Sequence, residues 1–410
     1  MTEGRIMRHE AKRAPIWLGF LLVGTLIKGI IWMLMIFPFD APDEPSHFSY
    51  ITQLQSYRQL PVVVMPTPDR ISIPPSTPQD AATQAMIHRF GFANFEGLSY
   101  ESSQPPLFYI AASLLTAPLG KNQLALLYGA RLMAVLCGVG AVWALWATAR
   151  TLWPEQPQIS WIAPLVLTLH PQFTFITSTI TNDACVFFLG TLLLWIWVKG
   201  LQSANEQDNG TVWRWILLAG VVTGLGLLAK LTMIVTLPCT LLWLWWIAGA
   251  RGGSMQGRLQ RFMGGALIIG GAVILLAGWW VLRNLLVYGE PTGTKALFEL
   301  YRIYFRNEAP ISLGGTQPDL KVLGQSIAVG IFSFWALYGW GIVLLPPWEY
   351  AGPLLLAGLA VLGGARAIAA WRAGTPTDEQ TQMRRRIAGL SVLVLLVSLI
   401  DLILFNVNVA

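Results

Sequence analysis

Long apolar runs separated by short polar segments, many of them basic, dominate the pattern of this chain. Runs close to the roughly 20 residues that carry a helix across a hydrocarbon core lie at 16–38, 124–149, 160–180, 184–200, 213–229, 231–249, 263–286, 350–371 and 387–405. They predict about nine transmembrane helices. Two further apolar stretches, 105–119 and 322–346, are interrupted by proline, glycine and aromatic residues. Charge placement assigns them. Counting either as a span would invert every later loop and push Arg384-Arg385-Arg386, or the basic cluster from Arg251 to Arg261, outside, against the positive-inside bias. Both are therefore read as interfacial or re-entrant helices. The first run is too long for a signal-peptide core and no small-residue cleavage site follows it, so it is read as the first span.

The pattern divides the chain into a cytoplasmic N-terminal tail (1–15), a transmembrane module (16–286) with a long first external loop (39–123), a second external segment with an interfacial helix (287–349), and C-terminal transmembrane helices (350–410). Neither external segment is apolar enough for a core of its own, so both are expected to roof the membrane domain. Composition agrees with an all-α integral membrane protein: 54% of residues are hydrophobic and 12% charged, and mean hydropathy is +0.56. The net charge of +6 does not indicate nucleic acid, because the basic residues sit in short clusters between spans, where they act as orientation signals. Cys137, Cys185 and Cys239 lie in apolar stretches without metal or disulfide spacing.

Candidate chemistry gathers on the external side. Asp40, Asp43, Glu44 and His47 follow the first span within eight residues, a group able to take a proton or hold a cation. Capping of the helix that begins near Pro45 is the plainer alternative. Thr181-Asn182-Asp183 between the third and fourth spans brings another acid to the same face, where capping of the fourth helix again competes. Lys230, and Arg283 with Asn284, place two cations there, suited to a lipid phosphate or to simple snorkelling. Lys28, Arg131 and Asp401 fall within spans and count as functional hypotheses. His88 and His170 have no ligand spacing and are read as structural.

Taken in order, several motifs resemble the GT-C superfamily of membrane glycosyltransferases, related to the protein mannosyltransferase and aminoarabinose transferase types, and most closely the bacterial DUF2142 family. They are Asp43-Glu44-Pro-Ser-His47-Phe48, Gln104-Pro105-Pro106-Leu107-Phe108-Tyr109, Asn182-Asp183, Gly226-Leu-Leu-Ala-Lys230-Leu-Thr232, Arg283-Asn284 before Tyr288-Gly289-Glu290-Pro291, and Ser333-Phe334-Trp335 with Gly339-Trp340. The resemblance covers about residue 16 to the end. It implies a GT-C-like bundle that transfers a sugar from a polyprenyl-phosphate donor to an envelope glycan, lipid or protein acceptor by an inverting displacement. Asp43 would be the base, with Glu44 and Asp183 also catalytic. His47, Gln104, Asn182, Lys230, Arg283 and Asn284 would bind substrate, and Asp43 with Asp183 could hold Mg²⁺ or Mn²⁺. The implied location is the plasma (inner) membrane, N-terminus cytoplasmic and active face extracytoplasmic. The family pattern continues past the last span with a Q-G-R-Y-type motif and further helices, whereas this sequence stops at Asn406-Val-Asn-Val-Ala410. Either the chain is truncated or this branch works without that part. The alternatives are a transporter or flippase of a lipid-linked sugar, disfavoured by acids gathered at one face and by the lack of an inverted repeat, and a non-catalytic membrane scaffold.

Overall fold

The computed structural model describes residues 2–63, 80–92, 100–156, 158–250, 252–297, 330, 332–372 and 378–409. Among them six helical stretches are long and apolar enough to cross a bilayer: Ile16–Met35, Gln123–Leu152, Asp183–Asn205, Gly210–Ala229, Leu231–Ala250 and Met255–Tyr288. They correspond to α1 (Thr2–Met35), α5 (Gln123–Leu152), α8 (Asp183–Asn205), α9 (Asn209–Ala229), α10 (Thr236–Ala250) with the 3₁₀ turn Leu231–Val235 before it, and α11 (Met255–Tyr288). Between α1 and α5 lie three shorter helices, α2 (Glu44–Tyr57), α3 (Ala81–Arg89) and α4 (Leu107–Thr116). The last two apolar runs fall within α12 (Ala351–Arg372) and α13 (Glu379–Val409).

The expected span at 160–180 is not one helix. It divides at His170 into α6 (Ile159–Leu169) and α7 (Pro171–Ile176). Pro171 has no N–H and forces the preceding residue out of the helical region, and His170 is extended at φ −67° and ψ 117°. Its imidazole Nδ1 then caps α7 by accepting from Phe173 N at 3.2 Å. Lys28 of α1 closes the break, donating to Thr168 O and to Thr174 Oγ1, each at 2.8 Å. That accounts for one intramembrane charge, as backbone repair.

Several helices outrun their apolar stretches. α1 already begins at Thr2, within the expected tail, and α11 begins at Met255, where Ser254 Oγ accepts from Gly257 N at 3.2 Å. Bilayer thickness sets the apolar length, whereas caps set where a helix stops. α4 with its 3₁₀ extension comprises ten plus three residues, about 20 Å against the roughly 30 Å of a hydrocarbon core. The stretch 322–346 departs from expectation: 322–329 lie outside the described residues, but Leu337–Tyr338 pairs antiparallel with Val343–Leu344 as strands β1 and β2. Gly339 at φ 59° and Gly341 at φ 78° supply the left-handed backbone that a tight hairpin needs.

Packing fixes the relative direction of the helices. Thr25, Lys28 and Gly29 of α1 meet Thr168, Thr174 and Ser178 in increasing order, so α6 and α7 run parallel to α1. α9 lies close on α11 because Gly220 and Gly224, one turn apart, leave room for the facing backbone. A Cβ at Gly220 would sit 2.9 Å from Ile269 Cα, the close approach that small residues four apart permit. At the opposite end from the α1 C-terminus, Gln380 and Arg384 donate to Leu152 O at 2.7 and 2.8 Å. Arg261 donates to Ala248 O at 3.0 Å. The basic clusters and the acidic loops therefore occupy opposite ends of the bundle.

Candidate active site

Arg131 and Glu44 form the foundation of the site, and both are fully buried. All five guanidinium N–H groups have acceptors. Nε and Nη2 donate to Glu44 Oε1 and Oε2 at 2.8 and 2.7 Å. The others reach Met33 O, Ile36 O and Phe37 O at 2.7–3.0 Å, carbonyls that the end of α1 leaves without helical partners. Glu44 also accepts from Phe39 N at 2.9 Å and Ile180 N at 3.0 Å. This carboxylate joins α1, α2, α5 and the α7–α8 connection, and four donors occupy its lone pairs.

The neighbouring acid turns the other way. Asp43 adopts a left-handed backbone, φ 62° and ψ −3°, which costs a non-glycine residue about 1–2 kcal/mol. Its side chain does not cap α2 but accepts from Tyr100 O–H at 2.6 Å. Asp183, the first residue of α8, accepts from Lys230 Nζ at 2.7 Å. Lys230 follows α9 in extended conformation, φ −159° and ψ 135°, which ends the helix and carries the side chain to α8. Asn182 does not cap α8 either; its Nδ2 donates to Ala229 O at 3.1 Å and to Gln104 Oε1 at 3.3 Å. The capping alternatives for Asp43 and Asn182 therefore do not describe these side chains.

Asp43, His47, Glu101, Gln104, Asp183 and Lys230 line one cavity of about 270 Å³, with Phe175, Ile176 and Leu337 on its apolar wall. The hairpin borders it, held by Leu337 N on Gln172 Oε1 at 2.8 Å and by Trp340 Nε1 on Phe39 O at 3.0 Å. Arg283 is not among the described residues of this lining. It donates to Pro61 O at 2.6 Å and to Asn284 Oδ1 at 3.1 Å, and lies over the Trp280 ring at 4.6 Å. Buried Asn284 in turn donates to Pro291 O at 3.3 Å. Arg283, with the Tyr288 hydroxyl accepting from Val63 N at 3.2 Å, ties the α11 end to the 61–63 segment, and Asn284 ties it to the turn that follows α11. The side chain of Asp401 lies outside the described residues.

Glu101 was not singled out from the sequence. It sits on a 3₁₀ turn, Tyr100–Ser103, with its backbone N–H on Ser46 Oγ at 3.1 Å. The one signal was its place three residues before Gln104 in a motif already noted. Burial, then the charge of Asp43, push its carboxyl up to about 8. Burial also raises Asp43, partly offset by the Tyr100 hydrogen bond and Lys230. For Lys230, burial acts downward but Asp183 outweighs it, so the ammonium is held above its ordinary range. Burial takes His47 down to about 3, leaving a neutral imidazole whose Nδ1 shares a hydrogen bond of 2.8 Å with Tyr109 O–H.

The donors available do not suit a resident divalent cation. Asp183 is occupied by an ammonium and Asp43 by a phenol, and among the described residues no three His, Cys, Asp or Glu side chains form a metal-binding group. The arrangement offers two acids of raised basicity, Asp43 and Glu101, and an acid–lysine pair around one space.

The described residues form an all-α, multi-pass membrane bundle with this cavity at the ends of α1, α7 and α9, an architecture consistent with the GT-C fold. Residues 103–280 match the family model described as dolichyl-phosphate-mannose-protein mannosyltransferase. The matched region contains Gln104, Asn182, Asp183 and Lys230 and stops before Arg283, while Asp43, His47 and Glu101 precede it. No curated protein matches the chain. The family match supports a place in the GT-C superfamily of membrane glycosyltransferases.

Proposed function

We propose that this protein transfers a sugar from a polyprenyl-phosphate donor to an extracytoplasmic acceptor with inversion at the anomeric carbon, as a member of the DUF2142 branch that its motifs resemble. The observation that carries the reading is the convergence of Asp43, Asp183 and Lys230 on one cavity, from segments up to 187 positions apart (230 − 43). In the step, the acceptor oxygen bonds to C1 as the C1–O bond to phosphate breaks and the phosphate oxygen takes the electron pair. The acceptor proton passes to Asp43, whose raised basicity suits a general base. Lys230 stabilises charge developing on the phosphate. Glu44 is reassigned from catalysis to anchoring, because its acceptor positions are filled. Arg283 is reassigned to holding the 61–63 segment. The basic clusters at the far end of the bundle support an extracytoplasmic active face by the positive-inside bias.

The test is incubation of purified protein with labelled polyprenyl-phosphate sugars and a panel of envelope acceptors, with the product anomer assigned by NMR. Transfer with inversion that is lost in Asp43→Asn supports the reading. Full transfer by Asp43→Asn, or retention of anomeric configuration, overturns it.

A further inference from the structure

We propose that Glu101 serves the cavity as a neutral carboxylic acid, donating a hydrogen bond to a phosphate oxygen of the lipid-linked donor. This deepens the glycosyltransferase reading and rests on it. The argument begins with a count of acids and donors. Three carboxyls, those of Asp43, Glu101 and Asp183, line the same cavity with one lysine. Lys230 binds Asp183 at 2.7 Å and Tyr100 binds Asp43 at 2.6 Å. Among the described residues the nearest basic atom to the Glu101 carboxyl is His47 Nδ1 at 3.6 Å. That separation is too long for a hydrogen bond, and the nitrogen is already engaged by Tyr109. Glu101 is 6% exposed, so bulk water is largely excluded from its carboxyl. An anion there would stand uncompensated in a buried site, which is costly enough that such groups stay protonated.

The groups facing Glu101 all act the same way or are already committed. They are Asp43 before α2, His47 on α2, Tyr109 on α4, Asp183 on α8, Lys230 after α9 and Tyr100 on its own turn. The elevated proton affinity of Glu101, near 8, agrees with the geometry. A phosphate entering this cavity meets one cation whose charge Asp183 already cancels. A third carboxylate would repel it, whereas a carboxylic O–H offers a donor without adding charge. The position thus supplies a phosphate contact at neutral pH and withdraws it when the acid ionises.

The experiment measures polyprenyl phosphate binding to the purified full chain in detergent, with inorganic phosphate as competitor. It uses wild type, Glu101→Gln and Glu101→Ala, at pH values about one unit either side of the Glu101 value. Thermal unfolding of each protein checks that it is folded. Wild type should bind about tenfold more weakly at the higher pH, and Glu101→Gln, which keeps a donor and cannot ionise, should change less than about threefold between the two. Glu101→Ala should bind about tenfold more weakly at both. Binding by Glu101→Gln that falls with pH as steeply as wild type overturns the proposal, as does Glu101→Gln being as weak as Glu101→Ala. If wild type neither binds polyprenyl phosphate nor transfers any sugar, the glycosyltransferase reading itself fails, and this proposal with it.

Discussion

Replacing Arg131 by Met isolates the foundation of the site from its chemistry. The substitution preserves much of the side-chain length but removes five N–H donors from a position with no solvent exposure. Two losses follow. Glu44 keeps only the backbone donors of Phe39 and Ile180, and removing one partner of a buried ion pair costs about 3–5 kcal/mol. The carbonyls of Met33 and Ile36 also lose their donor, each worth about 1 kcal/mol unless water enters, while Phe37 O keeps Asp40 N. The total is about 5–7 kcal/mol, large for a folded protein. Met at 131 together with Leu at 44 should cost less than the two single changes added, because neither charge is then left alone. Thermal unfolding in detergent, followed by tryptophan fluorescence, reads the effect as a fall of many degrees. If Arg131→Met lowers the transition by only about 1–2 °C, the interaction is worth only about 1–2 kcal/mol and the anchoring argument is wrong. At a temperature where the protein stays folded, Glu44→Gln should lower turnover less than Asp43→Asn, because it shifts the base without removing it.

Asp43→Asn should reduce sugar transfer by about 10²–10⁴-fold, the usual contribution of a positioned base, while thermal unfolding stays at or above wild type because a desolvated charge is removed. Lys230→Met should raise the donor KM by about tenfold or more with a smaller effect on acceptor KM, measured by varying each substrate in turn. Stability should depend on pH in two opposed windows. Glu101 holds its proton more tightly folded than unfolded, so its contribution falls as pH rises from 4.5 to about 8. His47 holds its proton less tightly folded, so its contribution grows from about 3 to 6.5. Unfolding scans against pH should lose the first slope in Glu101→Gln and keep the second. Gly220→Leu should destabilise by at least about 1–3 kcal/mol through overpacking of α9 on α11, seen as reduced thermal stability without a change in the pH profile of transfer.

The spans were legible because a bilayer imposes one length and one composition on every crossing helix, and six of the apolar runs sit within described helices that meet both. The run at 160–180 met the composition but contains His170-Pro171, and hydropathy does not register a missing N–H. The partners of Lys28 and Arg131 were illegible for a related reason. Each charge is satisfied largely by backbone carbonyls, freed by a helix break or a helix end, and carbonyls leave no residue-type signature. Charge parity brought the acids to one face, yet it could not say which carboxyl looks inward. Glu101 escaped notice because it looks like one polar residue in a loop until the fold buries it beside Asp43.

The adjacent pair Asp43 and Glu44 shows how one backbone conformation divides two chemically similar acids. Had residue 43 simply continued into α2, consecutive side chains would stand about 100° apart around one helix at its first turn. The left-handed turn at Asp43 instead lets Glu44 begin the helix facing α5, where Arg131 and two backbone N–H groups fill its lone pairs. Asp43 is left toward the cavity with one phenol donor. A carboxylate with four donors has no lone pair free for a substrate proton. One with a single donor and a desolvated surface holds a proton more strongly. The about 1–2 kcal/mol stored in the backbone at Asp43 is sustained by the Arg131–Glu44 contact one residue later. Anchoring and catalysis are therefore linked through a single peptide unit, and loosening the anchor should move the base.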